Sequence, residues 1–141
     1  MDRHSTTAAT LDEEAKIRAT VLDYIEGWYR ADAARMERSL HPELAKRAYL
    51  PGPDGKPYLS QMSALELIQR TRRTKPEPHQ PNLVILDRYE GAACVRANVT
   101  WGVDYMHVVK VGADWKIINV LWELSPEEWT AEGGTPGARM R

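Results

Sequence analysis

The chain has 141 residues, a formal net charge of −1 and a single cysteine. That length suits one domain able to bury its own core, and one cysteine excludes an intrachain disulfide. The near-neutral balance disfavours a nucleic-acid or anionic-membrane partner; the polar start MDRHSTTAAT has no signal-type apolar core and no apolar run reaches spanning length, so a cytoplasmic protein is expected.

In chain order, residues 1–10 read as a disordered tail, 11–124 as a single domain, and 125–141 as a short helical turn with a loose end. Thr10-Leu11-Asp12-Glu13 has capping-box spacing and predicts a helix to about Ala31, with Ile17, Val21, Tyr24, Ile25 and Trp28 as its apolar stripe. Asp32 can cap a shorter helix, Ala33 to about Leu40, which His41-Pro42 ends. Residues 43–50 are ambiguous, with Ala48-Tyr49-Leu50 a short strand; a Pro/Gly loop at 51–57 follows, and Tyr58-Leu59 can return as its partner. Ser63-Ala64-Leu65-Glu66 opens another helix, to about Arg73, and 75–81 is a proline-rich connection. Four strands are then expected at Leu83–Tyr89, Ala92–Trp101, Val103–Val111 and Trp115–Leu124, before Ser125-Pro126-Glu127-Glu128 caps a last short helix. Helices first and a strand meander after predict an α+β fold, with helices laid on one face of a curved antiparallel sheet.

The hairpin 101–124 frames the functional question. With Gly112-Ala113-Asp114 as a three-residue loop, Val103, Tyr105, His107, Val109 and Val111 share a face with Trp115, Ile117, Asn119, Leu121 and Glu123. The other face carries Asp104, Met106, Val108 and Lys110 with Lys116, Ile118, Val120, Trp122 and Leu124. Both faces are largely apolar, so one should cover a core and the other a further element or subunit. The polar atoms of Tyr105, His107, Asn119 and Glu123 make the first face the expected pocket. Cys94, inside a strand, reads as a packing residue. The four histidines are scattered without metal-ligand spacing, and no phosphate loop, nucleophile elbow or dinucleotide fingerprint occurs; neither metal nor cofactor is expected.

Asp23-Tyr24-Ile25-Glu26-Gly27-Trp28-Tyr29 on the first helix, Leu40-His41-Pro42, Lys46-Arg47, Met62-Ser63-Ala64, Asp104-Tyr105-Met106-His107 and the closing Trp115–Glu123 strand together resemble the lumazine-binding-like family of the nuclear-transport-factor-2-like superfamily, with its SnoaL-like and ketosteroid-isomerase-like members. The similarity spans about Leu11 to Leu124. It implies a cone-shaped roll with a pocket between the first helix and the concave sheet face, and a homodimer through the outer face bearing Met106, Val108, Ile118, Val120 and Trp122. The resemblance to ketosteroid isomerases places Tyr24 at their helix tyrosine, with His107 or Tyr105 near their strand acid; the position of their aspartate base falls at about Ala48, which has no carboxylate.

The expected site therefore has Tyr24 and His107 as catalytic groups, with Asn119 orienting the imidazole. Trp28, Arg47, Tyr105, Leu121 and Glu123 contact the substrate. Two functions fit: a cofactor-independent isomerase, dehydratase or cyclase acting on a mostly apolar carbonyl-bearing or polycyclic molecule, or a non-catalytic module that binds a hydrophobic ligand or dimerises.

Overall fold

The computed structural model describes residues 7–135. The ends of both expected tails, 1–6 and 136–141, lie outside the described residues; residues 8–10, placed in the tail above, are helical. Helix α1 (Ala8–Tyr29) starts one turn earlier than the capping box suggests, because Thr7 is the cap and its side chain accepts from the Thr10 N–H. Asp32 caps α2 (Ala33–Ser39), accepting from the Arg35 N–H. The two helices approach closely at Gly27, where a Cβ would stand 2.9 Å from the Met36 backbone nitrogen. Asp23 and Glu26 on α1 then pair with Arg35 and Arg38, tying the helices together outside the core.

Strand β1 (Leu40–Pro51) is longer than expected and absorbs His41-Pro42. It returns through the Pro/Gly loop as β2 (Pro57–Ser63), and Ser63 caps α3 (Ala64–Arg73). Strands β3 (Leu83–Tyr89), β4 (Ala92–Val99), β5 (Gly102–Val111) and β6 (Asp114–Leu124) form the meander, and Ser125 caps α4 (Pro126–Ala131). The sheet runs β2-β1-β6-β5-β4-β3; it is curved and unclosed, and antiparallel everywhere except β1 beside β6. This is the expected cone-like roll. No helix among the described residues is long and apolar enough to cross a membrane.

The concave face and the helices share the core, which includes Ile17, Val21, Ile25, Met36, Leu67, Val95, Met106, Val108, Trp115, Ile117 and Val120. Here the hairpin expectation is corrected twice. The turn is two residues, Gly112-Ala113, with Gly112 at φ +64° and Val111 opposite Asp114. A bulge then slips the register at Ile118: Val108 pairs with Ile117, but His107 pairs with Asn119. Trp115 and Ile117 near the turn, and Val120 and Leu124 beyond the bulge, therefore all point inward. The second correction is the face itself. Tyr105, His107 and Leu121 lie on the exposed outer side, whereas Met106, Val108 and Val120, expected at a dimer contact, are buried in the core. Trp122 is half-buried over a cavity, and of that set only Ile118 is exposed.

Candidate functional site

One polar chain crosses the core beneath the concave face. Alternation along β1 sends Leu44, Lys46 and Ala48 inward, and along β5 it sends Asp104, Met106 and Val108 inward. Tyr24 descends from α1 to meet them. The Tyr24 hydroxyl donates to Asp104 Oδ2 at 3.0 Å and accepts from Lys46 Nζ at 2.6 Å. Each residue is less than a tenth exposed. The Lys46 ammonium also lies 5.1 Å from the Tyr24 ring centre and 5.9 Å from that of Trp28, one helical turn further along α1. Asp104 Oδ1 is buried with no hydrogen-bond partner among the described residues.

Lysine and aspartate form no direct ion pair; the phenol stands between them. Burial pushes the Lys46 ammonium below its ordinary range, aided by the Arg70 charge and opposed by Asp104. Burial pushes the Asp104 carboxyl up, opposed by Lys46 and by the Tyr24 hydrogen bond. The Tyr24 phenol is raised well above its usual value, first by burial and then by the Asp104 charge, so it stays protonated. Two arrangements share this geometry. In one, an ammonium donates to the phenol and the phenol to a carboxylate. In the other, a carboxylic acid donates to the phenol and the phenol to a neutral amine. Moving one proton along each hydrogen bond interconverts them without displacing a heavy atom.

The lysine end of this relay opens to a cavity of about 410 Å³. Trp28, Trp101 and Trp122 form one wall, with Trp101 edge-on to both of the others at 6.1 and 6.3 Å. Leu50, Tyr58, Met62, Leu67 and Leu124 complete the apolar lining, and Arg70, Glu128 and Glu132 add charge to it. An apolar pocket with a few convergent polar groups is the usual form of a small-molecule site. Among the described residues no cluster of His, Cys, Asp and Glu is arranged to hold a metal ion.

Of the residues expected from sequence, the structure brings together Tyr24 and Trp28. It does not bring His107 to them: the imidazole is exposed on the outer face, with Nδ1 3.3 Å from Asn119 Nδ2. Tyr105 lies on the same face, beside Arg96, and Leu121 is its cross-strand partner. Arg47 donates to Gln61 Oε1 at 3.0 Å on that side of β1, and Glu123 pairs with Val103 in the outer register. Sequence reasoning passed over Lys46 and Asp104. Their signal was present: each interrupts an alternating apolar row, Leu44-x-Lys46-x-Ala48 and Asp104-x-Met106-x-Val108.

The architecture defines the class of protein. A nuclear-transport-factor-2-like protein of Silicibacter pomeroyi, itself of unknown function, superposes with a TM-score of 0.66 at 17% identity, covering 82% of this chain and 98% of its own. Similar proteins of unknown function from Shewanella baltica (0.66, 18%, 86% and 99%) and Methylobacillus flagellatus (0.66, 16%, 86% and 96%) agree. These likenesses establish the nuclear-transport-factor-2-like fold and carry no activity. The family model described as "Putative lumazine-binding" matches residues 12–123, and the chain belongs to that family. No curated protein matches the chain at a significant level.

Proposed function

We propose that the chain is a cofactor-independent enzyme that binds a small, mostly apolar, carbonyl-bearing molecule in the tryptophan-walled cavity and moves a proton on it, in an isomerisation, dehydration or cyclisation. One observation carries the reading: a buried lysine that lines an aromatic cavity is hydrogen-bonded through its amine to a tyrosine that is itself bonded to a buried aspartate. Core packing alone favours no such chain, because three polar groups removed from water are costly unless fully paired. In this reading Lys46 and Tyr24 meet the carbonyl group, and Asp104 supplies or accepts the proton through the phenol. A positioned acid–base group contributes about 10²–10⁴ in rate. The role first given to His107 passes to Lys46 and Asp104, which lie on the cavity side of the sheet.

The test follows hydrogen exchange at the carbon beside the carbonyl, by NMR in D2O, for a panel of cyclohexanone, 1-indanone and 3-phenylpropanal. Wild-type protein should accelerate exchange of at least one member, and Lys46→Met, verified as folded by circular dichroism, should return it to the buffer rate. Exchange no faster than buffer for every member would overturn the reading, and so would an undiminished rate in Lys46→Met. Saturable binding without exchange would instead assign a non-catalytic module for hydrophobic ligands.

We also propose that the chain pairs with a second copy through the outer sheet face, where Ile118, Tyr105 and Leu121 are 39%, 42% and 49% exposed. An apolar patch on the outside of a sheet commonly marks an interface. Tyr105→Glu combined with Leu121→Glu should convert a dimer into a monomer in light scattering; a monomeric wild type would end this proposal.

A further inference from the structure

We infer that Lys46 forms an imine with the carbonyl carbon of the substrate, so that carbonyl activation at this site is covalent. The inference rests on the catalytic reading above and adds the chemical step.

Three features of the geometry support it. The first is place: Lys46 is among the residues lining a cavity whose volume accommodates a one- or two-ring molecule. The second is the amine's surroundings. Most of the lining is aromatic or aliphatic, and the Tyr24 phenol stands between the amine and Asp104, so the Asp104 carboxylate does not pair with the amine directly. A lysine desolvated in an apolar pocket is a ready nucleophile. The third is a proton donor at the right atom: the Tyr24 hydroxyl lies 2.6 Å from Nζ, within reach of an oxygen on the carbon that Nζ attacks.

The step balances. The Nζ lone pair forms the C–N bond, and the carbonyl π electrons move to oxygen. That oxygen takes a proton from Tyr24, which is resupplied by Asp104. The nitrogen then loses its two protons, one to restore the relay and one to the departing hydroxyl. The C–O bond breaks and water leaves. The net change is an amine and a carbonyl converted to an imine and water, with no oxidant or reductant needed.

Reductive trapping tests this with benzaldehyde and sodium cyanoborohydride at neutral pH, followed by intact mass and peptide mapping. The expected result is one benzyl group per chain, on the peptide containing Lys46, added before the exposed Lys56, Lys75 and Lys110 react. Tyr24→Phe should slow labelling of Lys46 by on the order of 10²-fold without changing the other lysines. Mapping the wild type needs no variant to fold. Labelling of Lys46 no faster than of Lys75 would overturn the inference. If proton exchange on the carbonyl panel persists without any Lys46 adduct, the covalent step falls and the proton relay stands. An adduct without exchange would retain the imine and remove the catalytic reading.

Discussion

Two polar groupings sit on β5 only three residues apart, and they differ in almost every property that matters. Asp104 points into the core, where Tyr24 and Lys46 meet it and its second oxygen has no partner among the described residues. His107 points outward, is exposed, and shares a single 3.3 Å contact with half-buried Asn119. The imidazole is the side chain better suited by its ordinary titration range to chemistry near neutrality. Yet the environment decides. Desolvation drives the amine and the carboxyl of the inner chain toward each other's range. The contrast teaches that burial, more than residue type, selects which polar group can act as acid, base or nucleophile.

The largest effect should come from Lys46→Met, with a loss of at least about 10² in exchange rate in folded protein. Next is stability. Asp104→Leu alone leaves the buried Lys46 amine and Tyr24 hydroxyl without the partner that completes their chain and should cost about 3–5 kcal/mol in urea unfolding. The double variant Lys46→Met with Asp104→Leu should recover most of that loss, because two apolar side chains replace a coupled pair. Strict additivity of the two losses would show that the pair is not coupled. His107→Ala and Asn119→Ala should each change stability by less than about 1 kcal/mol and leave exchange unaltered; a strong loss of activity in either would reverse the comparison. A comparably small effect belongs to half-buried Asp23. Its carboxyl is held below its usual range, chiefly by the Arg38 hydrogen bond and also by Arg35. A lowered folded-state value means its contribution is complete above the unfolded value near pH 3.9 and fades as pH falls through the folded one. Asp23→Asn should therefore flatten the acid limb of a stability–pH profile and cost up to about 1 kcal/mol at pH 7.

Much of the fold was legible because its signals are local. Asp32, Ser63 and Ser125 each cap the helix their sequence announces, and the four late strands lie within a residue or two of their expected bounds. The cross-strand partners beyond the bulge, His107 with Asn119 and Tyr105 with Leu121, were also readable. What was not legible is which face turns inward. Both faces of the hairpin are apolar enough, so periodicity gives the alternation and leaves its sign open. The bulge at Ile118 adds to this, since Trp115 and Leu121 look like one row until the slip is known. Tyr24 and Trp28 escaped the ambiguity because a helix has a single apolar stripe. Lys46 stayed hidden because the start of β1 contains His41-Pro42 and reads as a chain break, although the strand runs through it with a register shift before Ala45.

The place of β6 in the sheet has a consequence for how the protein is made. The last strand in sequence is third in space, between β1 and β5, and it joins the β2-β1 pair to the β5-β4-β3 meander. Tyr24 and Lys46 belong to the part of the chain on one side of that seam and Asp104 to the other. During synthesis every residue of the relay exists before the strand that brings the two halves together. Long-range closure of this kind is slow compared with hairpin formation. The site is thus complete only once β6 is in place, so a lesion that unseats β6 should disturb the relay while leaving most of the helices and the β3-β4-β5 meander intact.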